Sequence, residues 1–301
     1  MRYQKQIISF LIFGVFFVVC INIYYLFFYQ TPIKRPNYDG IADEIDQDLE
    51  NEFARPVADE NISTSKANTY VSVIPIPIDE TMDTHLAEFR SKAKYLQQKY
   101  PNSFFISIPT DKKVVALTFD DGPDKDSTIK IIRILNKYNV PGTFFFIGNQ
   151  MDKYSETVNA ALTDGHTIVN HSWAHLRSTD SSIDELIEEV KRTQNSIDSF
   201  TTSPKLFRPP YGLVNDEQMP ELIDTGFKVV AWSIDSMDWY FTNSEDIVTC
   251  VVDAIHPGAI VLMHSAGGSS NRQATIDALP KIIETLQNLG YSFVTLDELS
   301  K

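Results

Sequence analysis

From Lys112 onward the chain alternates short apolar runs with amphipathic segments, and this alternation constrains the fold more than any other feature. The runs are VVALTF, TFFFIG, HTIVNH, KLFRPP, FKVVAWSI, AIVLMH and YSFVTL. Between them lie stretches at helical spacing, such as SSIDELIEEVKRTQNSIDSF, which opens with a Ser182 to Glu185 capping box, and RQATIDALPKIIETLQNLG, which stops at Gly290. Seven β-α alternations imply an α/β fold with a parallel sheet, open or curled into a distorted (β/α) barrel of about seven strands. In either form a site belongs at the carboxyl ends of the strands. No internal repeat or low-complexity tract competes with this reading.

The residues ahead of this pattern divide into zones. Ile7 to Tyr29 is apolar with only Ser9 and Asn22 as clear polar interruptions, long enough at about 1.5 Å per residue to cross a bilayer core. No small-x-small exit follows it, so residues 7–29 read as an uncleaved transmembrane signal anchor and 1–6 as a short cytoplasmic tail. Arg2 and Lys5 face Lys34 and Arg35 across the span, a marginal orientation signal; the Tyr24, Tyr25, Tyr29 cluster suits an interfacial belt. The expected location is the cell membrane, single-pass, with the globular part on the extracytoplasmic side. Residues 30–69 read as an acidic stalk, since 37–60 hold nine acidic residues against one basic. Residues 70–110 form a lead-in or small satellite domain: YVSVIPIPI resembles an edge strand or polyproline segment, Asp83 to Tyr100 a helix, and SFFISI a strand. The main domain then occupies 111–301. Cys20 in the span cannot pair with Cys250 in the globular part under this topology. A formal charge of −14 without a basic patch excludes nucleic acid as partner and suits an uncharged, sugar-like ligand.

The polar residues at the run ends carry the chemistry. Run one ends in Asp120-Asp121, run three in His171-Ser-Trp-Ala-His175, run four in Arg208-Pro-Pro-Tyr-Gly212, run five in Asp235-Ser-Met-Asp238-Trp239 and run six in His264. On neighbouring parallel strands these groups converge on one face. Adjacent carboxylates repel, and a divalent cation offsets that cost if one is its ligand and the other a base beside it. Two histidines four apart plus one carboxylate make an open three-ligand site suited to zinc or a similar ion. No Glu lies between the histidines, so this is not the HExxH arrangement and the base comes from elsewhere, with Asp120 next to the ligand.

TFDDGP, HSWAH, RPPYG, DSMDW and LMH resemble, in order, the five motifs of the NodB-homology polysaccharide deacetylases, carbohydrate esterase family 4, over about residues 112–299. The resemblance implies Asp120 as general base, Asp121, His171 and His175 as metal ligands, and His264 as general acid. It also implies that Arg208 orients Asp120, Asp238 holds His264, Leu262 lines the pocket for the acetyl methyl, Tyr211 offers its backbone N–H to the oxyanion and Trp239 lines the acid side. Asp235 matches a motif position without a definite role. The cofactor implied is one divalent ion, zinc first, with cobalt or another divalent ion as the alternative. The activity implied is hydrolysis of N-acetyl groups from a glycan, with N-acetylglucosamine of peptidoglycan favoured over chitin oligomers, an exopolysaccharide or acetylxylan. A catalytically silent glycan-binding protein of the same fold would lack a ligand, base or acid, and none is missing here. Elsewhere, His166 reads as a packed histidine at a turn, His85 and His256 as ordinary, and Trp232 as core. Trp173, Tyr240 and Phe241 are candidates for stacking on sugar faces.

Overall fold

The computed structural model describes residues 71–268 and 271–297. The expected tail (1–6), membrane anchor (7–29) and acidic stalk (30–69) lie outside the described residues. Among those described, no helix is long and apolar enough to cross a membrane.

In chain order the elements are α1 (Glu80–Lys99), β1 (Phe104–Phe105), β2 (Val114–Asp120), α2 (Ser127–Lys137), β3 (Thr143–Phe146), α3 (Gly148–Met151), α4 (Ser155–Thr163), β4 (Thr167–Asn170), α5 (Ile183–Phe200), β5 (Leu206–Phe207), α6 (Gln218–Asp224), β6 (Lys228–Val230), β7 (Ile234–Asp235), α7 (Ser244–Val252), β8 (Ala259–His264), α8 (Gln273–Asn288) and β9 (Ser292–Phe293). The Ser182/Glu185 capping box opens α5 with both reciprocal bonds made. Among the described residues the sheet has nine strands, in the order β1-β6-β5-β4-β3-β2-β8-β7, with β9 also on β2. The ladders are parallel throughout. The longest runs along β2 and β8, from Val115↔Ala259 to Asp120↔His264.

Two expectations need correction. FKVVAWSI is two strands, because its halves pair with opposite ends of the sheet: β6 lies against β5 and β1, while β7 lies against β8. Between them the Ala231 N–H donates to the Phe105 carbonyl and the Ser233 N–H to the Ile260 carbonyl, so this run closes the sheet into a distorted barrel. Of the two readings of YVSVIPIPI, the edge strand is the one to drop: among the described residues 71–78 form no strand, Pro75 and Pro77 lack the N–H a ladder needs, and the Ser72 N–H donates to the Ser233 carbonyl. Its Ile74, Ile76 and Ile78 pack instead on Leu86, Met237 and Cys250.

The period-two alternation of the strands sorts their residues onto two faces. Val115, Leu117 and Phe119 of β2 and Ala259, Val261 and Met263 of β8 pack with the buried faces of α2, α7 and α8. Ala116, Ile260 and Leu262 belong to the other cluster, with Phe145, Val169, Phe207 and Trp232. By the same parity Asp120 and His264, each the last residue of its strand, share that second face.

The lead-in contributes to this second cluster. Phe89, Ala93 and Leu96 of α1 are buried in it, and Phe89 stacks on Trp232 with ring centroids 4.5 Å apart. Gly212 sits under this pair at φ 89°, where a Cβ would come within 2.4 Å of Trp232, so both the backbone angle and the close approach require glycine. Phe89→Ala is expected to destabilise the barrel by about 3 kcal/mol, the cost of a buried Phe truncation. Urea unfolding followed by intrinsic fluorescence checks this; an unmoved main transition would mean the lead-in folds apart from the barrel.

Candidate active site

Asp120 ends β2 on the inner face, and Asp121 follows with a left-handed backbone, φ 71°. That turn sends the two adjacent carboxylates in different directions. Asp120 meets the Arg208 guanidinium, whose Nη1 donates to its Oδ1 at 2.7 Å. Asp121 Oδ1 lies 3.1 Å from His175 Nε2 and 3.5 Å from His171 Nε2. The repulsion expected between the neighbours is therefore offset by Arg208 on one side and His175 on the other, with His171 Nε2 also 3.8 Å from Asp120 Oδ2.

Arg208 is fully buried, which demands compensation on every side. Its Nη1 also donates to Thr118 Oγ1, its Nε to the Val230 carbonyl and its Nη2 to the Ala231 carbonyl. The Phe145 ring lies 4.0 Å from its guanidinium carbon. One side chain thus ties β2 to the run that closes the barrel.

His171 follows β4 directly, and its Nδ1 lies 2.8 Å from the Arg208 carbonyl. An acceptor there makes Nδ1 a donor and turns Nε2 toward Asp121. The HSWAH residues are a tight turn and not a helix, with Ser172 at φ 62° and His175 at φ 57°. Glu189 of α5 holds that turn: one carboxylate oxygen accepts from the Trp173 and Ala174 N–H groups at 3.0 and 2.7 Å. No spacing signal in the sequence marked Glu189, because its partners are backbone atoms. Candidate ligand atoms of Asp121, His171 and His175 lie within 4.8 Å of one another. One carboxylate and two imidazoles, one with its Nδ1 held as a donor, fit a divalent ion. Burial pushes the Asp121 carboxyl up, but hydrogen bonds from both histidines and the charge of His264 outweigh it and hold it well below the usual carboxylate range.

Across the site, Asp238 Oδ1 is 2.6 Å from His264 Nδ1, while its Oδ2 accepts from the His264 N–H and the Thr275 hydroxyl at 2.8 Å each. Burial opposes the imidazolium, yet the Asp238 charge and hydrogen bond, with Asp121 behind them, raise His264 to about 9. Burial likewise pushes Asp238 up, and His264, Arg272 and Thr275 bring it below its ordinary value. Asp235, which matched a motif without a role, anchors the rim. Its Oδ1 accepts from the Met237 N–H and from the Trp239 indole at 3.1 Å, fixing that ring in place. Burial pushes Asp235 up to about 6 against those bonds. Tyr211 is exposed with a left-handed backbone, φ 63°, its ring 5.2 Å from His175 and under Arg177 at 3.8 Å.

The strand-end residues given roles, including Leu262, line one cleft of about 620 Å³, except Arg208 and Asp238, which sit behind Asp120 and His264. Sequence reasoning missed others. Arg272, nearly buried, donates from Nε to the Ala266 carbonyl and places Nη2 3.6 Å from Asp121 Oδ2; it follows a Gly-Ser-rich stretch with no motif of its own. His85 does not lie outside the domain as expected: with Met82 and Glu88 of α1 it lines the cleft. Trp232 is core as expected and also lines the cleft. His166 is packed as expected, accepting from the Gly142 N–H, and burial lowers it to about 4.

A parallel α/β barrel whose strand ends gather a buried Asp–Arg pair, an Asp-held imidazole and an Asp/His/His trio able to hold a cation has the architecture of a metal-dependent hydrolase. Residues 107–230 match the family model for polysaccharide deacetylases. A peptidoglycan-N-acetylglucosamine deacetylase of Bacillus cereus is 36% identical over 203 residues, covering 67% of this chain and 73% of that protein. The peptidoglycan-N-acetylmuramic acid deacetylase PdaC of Bacillus subtilis is 34% identical over 230 residues, 74% of this chain and 47% of that protein. A crystal structure of a peptidoglycan N-acetylglucosamine deacetylase with 4-naphthalen-1-yl-N-oxidanyl-benzamide superposes with a TM-score of 0.62 at 36% identity, over 64% of this chain and 91% of that one. The chain belongs to the polysaccharide deacetylase family.

A group raised from 6.5 to about 9 stabilises the fold in its charged form: that contribution is complete below pH 6.5 and lost as pH rises through about 9. Asp238→Asn removes the main influence raising His264 and leaves Asp121 against burial and Arg272, so the ring should titrate well below about 9. NMR of the His264 ring protons checks this; titration still near 9 would rule out Asp238 as the cause.

Proposed function

We propose that this chain hydrolyses N-acetyl groups of peptidoglycan, N-acetylglucosamine residues first, releasing acetate and leaving a free sugar amine. The observation that carries the reading is the register Asp120↔His264, which sets a carboxylate and an imidazole on adjacent strand ends beside the Asp121, His171, His175 trio. The names of the relatives from the two Bacillus species support the choice of glycan.

Asp121, His171 and His175 would hold the divalent ion, zinc first. Such an ion, when bound, lowers the pKa of water and polarises a carbonyl oxygen. Asp120, oriented by Arg208, accepts a proton from the attacking water as its oxygen adds to the acetamide carbon. The backbone N–H of Tyr211 donates to the oxyanion that develops. His264 Nε2–H, free because Nδ1 is engaged by Asp238, gives its proton to the leaving nitrogen as the C–N bond breaks. Leu262 takes the acetyl methyl, and Trp239, fixed by Asp235, borders the acid side.

The test uses the protein stripped of metal and reloaded with zinc or cobalt. Acetate release is followed from peptidoglycan, chito-oligosaccharides and acetylated xylan. Metal-dependent release from peptidoglycan is expected, with Asp120→Asn lowering kcat by about 10²- to 10⁴-fold. Release only from another glycan would move the substrate, and none from any would defeat the reading in favour of a silent glycan-binding protein.

The same reading puts the chain at the cell membrane through residues 7–29, with the catalytic domain on the outer side, because those residues are apolar over a bilayer's thickness. The full-length chain should sediment with membranes and resist carbonate extraction, whereas a chain lacking residues 1–29 should not. Equal solubility of the two would remove the anchor from the proposal.

A further inference from the structure

Helix α1 lies ahead of residues 107–230, which match the family model, yet it forms one wall of the cleft that holds the strand-end groups. Both of its ends are tied to loops that carry site residues. At the amino end Asp79 accepts from the Met82 N–H, capping the helix, and its other oxygen accepts from the Tyr240 hydroxyl at 2.9 Å, next to Trp239. At the carboxyl end Tyr95 donates to Asp216 at 2.6 Å and Lys99 pairs with the same carboxylate at 3.2 Å, a few residues past Tyr211. Leu86 and Phe89 anchor the helix from below.

His85 and Glu88 have no part in that anchoring. They are exposed, one helical turn apart and so on one face, and both line the cleft beside Asp121, His264 and Tyr211. A carboxylate accepts from sugar hydroxyls, an imidazole both donates and accepts, and the rings of Trp239 and Tyr211 at the rim offer flat apolar faces to pyranose rings. A cleft of about 620 Å³ leaves room beside the acetamido group for a neighbouring sugar.

Resting on the deacetylase reading, we propose that α1 is a specificity-determining wall, His85 and Glu88 hydrogen-bonding the uncharged sugar unit next to the one that loses its acetyl group. The binding energy from that unit is spent on holding the chain across the site, so it appears in KM before kcat.

The test compares full-length, zinc-loaded wild type with the His85→Ala/Glu88→Ala double variant on N-acetylglucosamine itself, which has no neighbouring unit, and on its pentamer. The expected result is a rise of about tenfold in KM for the pentamer, little rise for the monosaccharide and little change in kcat, as loss of one or two hydrogen bonds predicts. Glu88→Gln, which keeps an acceptor oxygen, should recover part of the loss. An unchanged KM, or an equal loss at both lengths, overturns the proposal, since the second would mark a general effect on the site. Wild type that releases no acetate from these sugars and none from peptidoglycan would instead sink the deacetylase reading. In that event pentamer binding to Asp120→Asn protein, read by tryptophan fluorescence, tests α1 alone, and equal affinity with and without the two alanines counts against it.

Discussion

The rest of the structure depends on a guanidinium with no access to water. Arg208 would be too costly to bury unless its donors were met, and meeting them recruits Thr118 and Asp120 from one strand and two carbonyls from the run that closes the barrel. Its own carbonyl then faces His171 Nδ1. A single residue therefore aims the candidate base through its side chain and a candidate ligand through its backbone. Removing it would leave a carboxylate buried without its partner, which costs more than the pair itself contributes.

Backbone strain is concentrated at the same strand ends. Asp121, Ser172, His175, Tyr211 and Met237 all hold positive φ without being glycine, at roughly 1–2 kcal/mol each. Local hydrogen bonds compensate at several of them: the Ser172 N–H donates to Asn170 and its hydroxyl accepts from the His175 N–H, and the Met237 N–H donates to Asp235. A strand continuing straight would carry its next side chain away from the mouth of the barrel. The left-handed turns bring consecutive residues, such as Asp120 and Asp121, to bear on one small volume from different angles.

The strand-end chemistry was legible in the sequence because period-two alternation and parallel pairing leave little freedom for the last residue of a strand. Asp120, His171 and His264 needed only parity and order. The division of FKVVAWSI was not legible, since its apolar residues are continuous and the change of partners depends on where β1 and β8 meet it. Nor was the placement of α1, whose His85 and Glu88 look like any solvated helix face until the barrel mouth is placed beneath them. Glu189 and Arg272 act on backbone atoms or across loops, and such contacts leave no spacing to read.

Asp121 and Asp238 show why the acid and the cation site tolerate each other. Asp238 gives His264 two contacts, one to the ring and one to the backbone N–H, so the imidazolium is held from behind and presents Nε2 to the cleft. Arg272 reaches both aspartates, Nη2 3.6 Å from Asp121 Oδ2 and Nη1 donating to the Asp238 backbone carbonyl at 3.4 Å. Its positive charge works against protonation of His264 and so moderates the pull of Asp238 and Asp121. The proposed role of His264 as acid requires that this balance leave its proton transferable, since an imidazolium held too strongly is a poor donor.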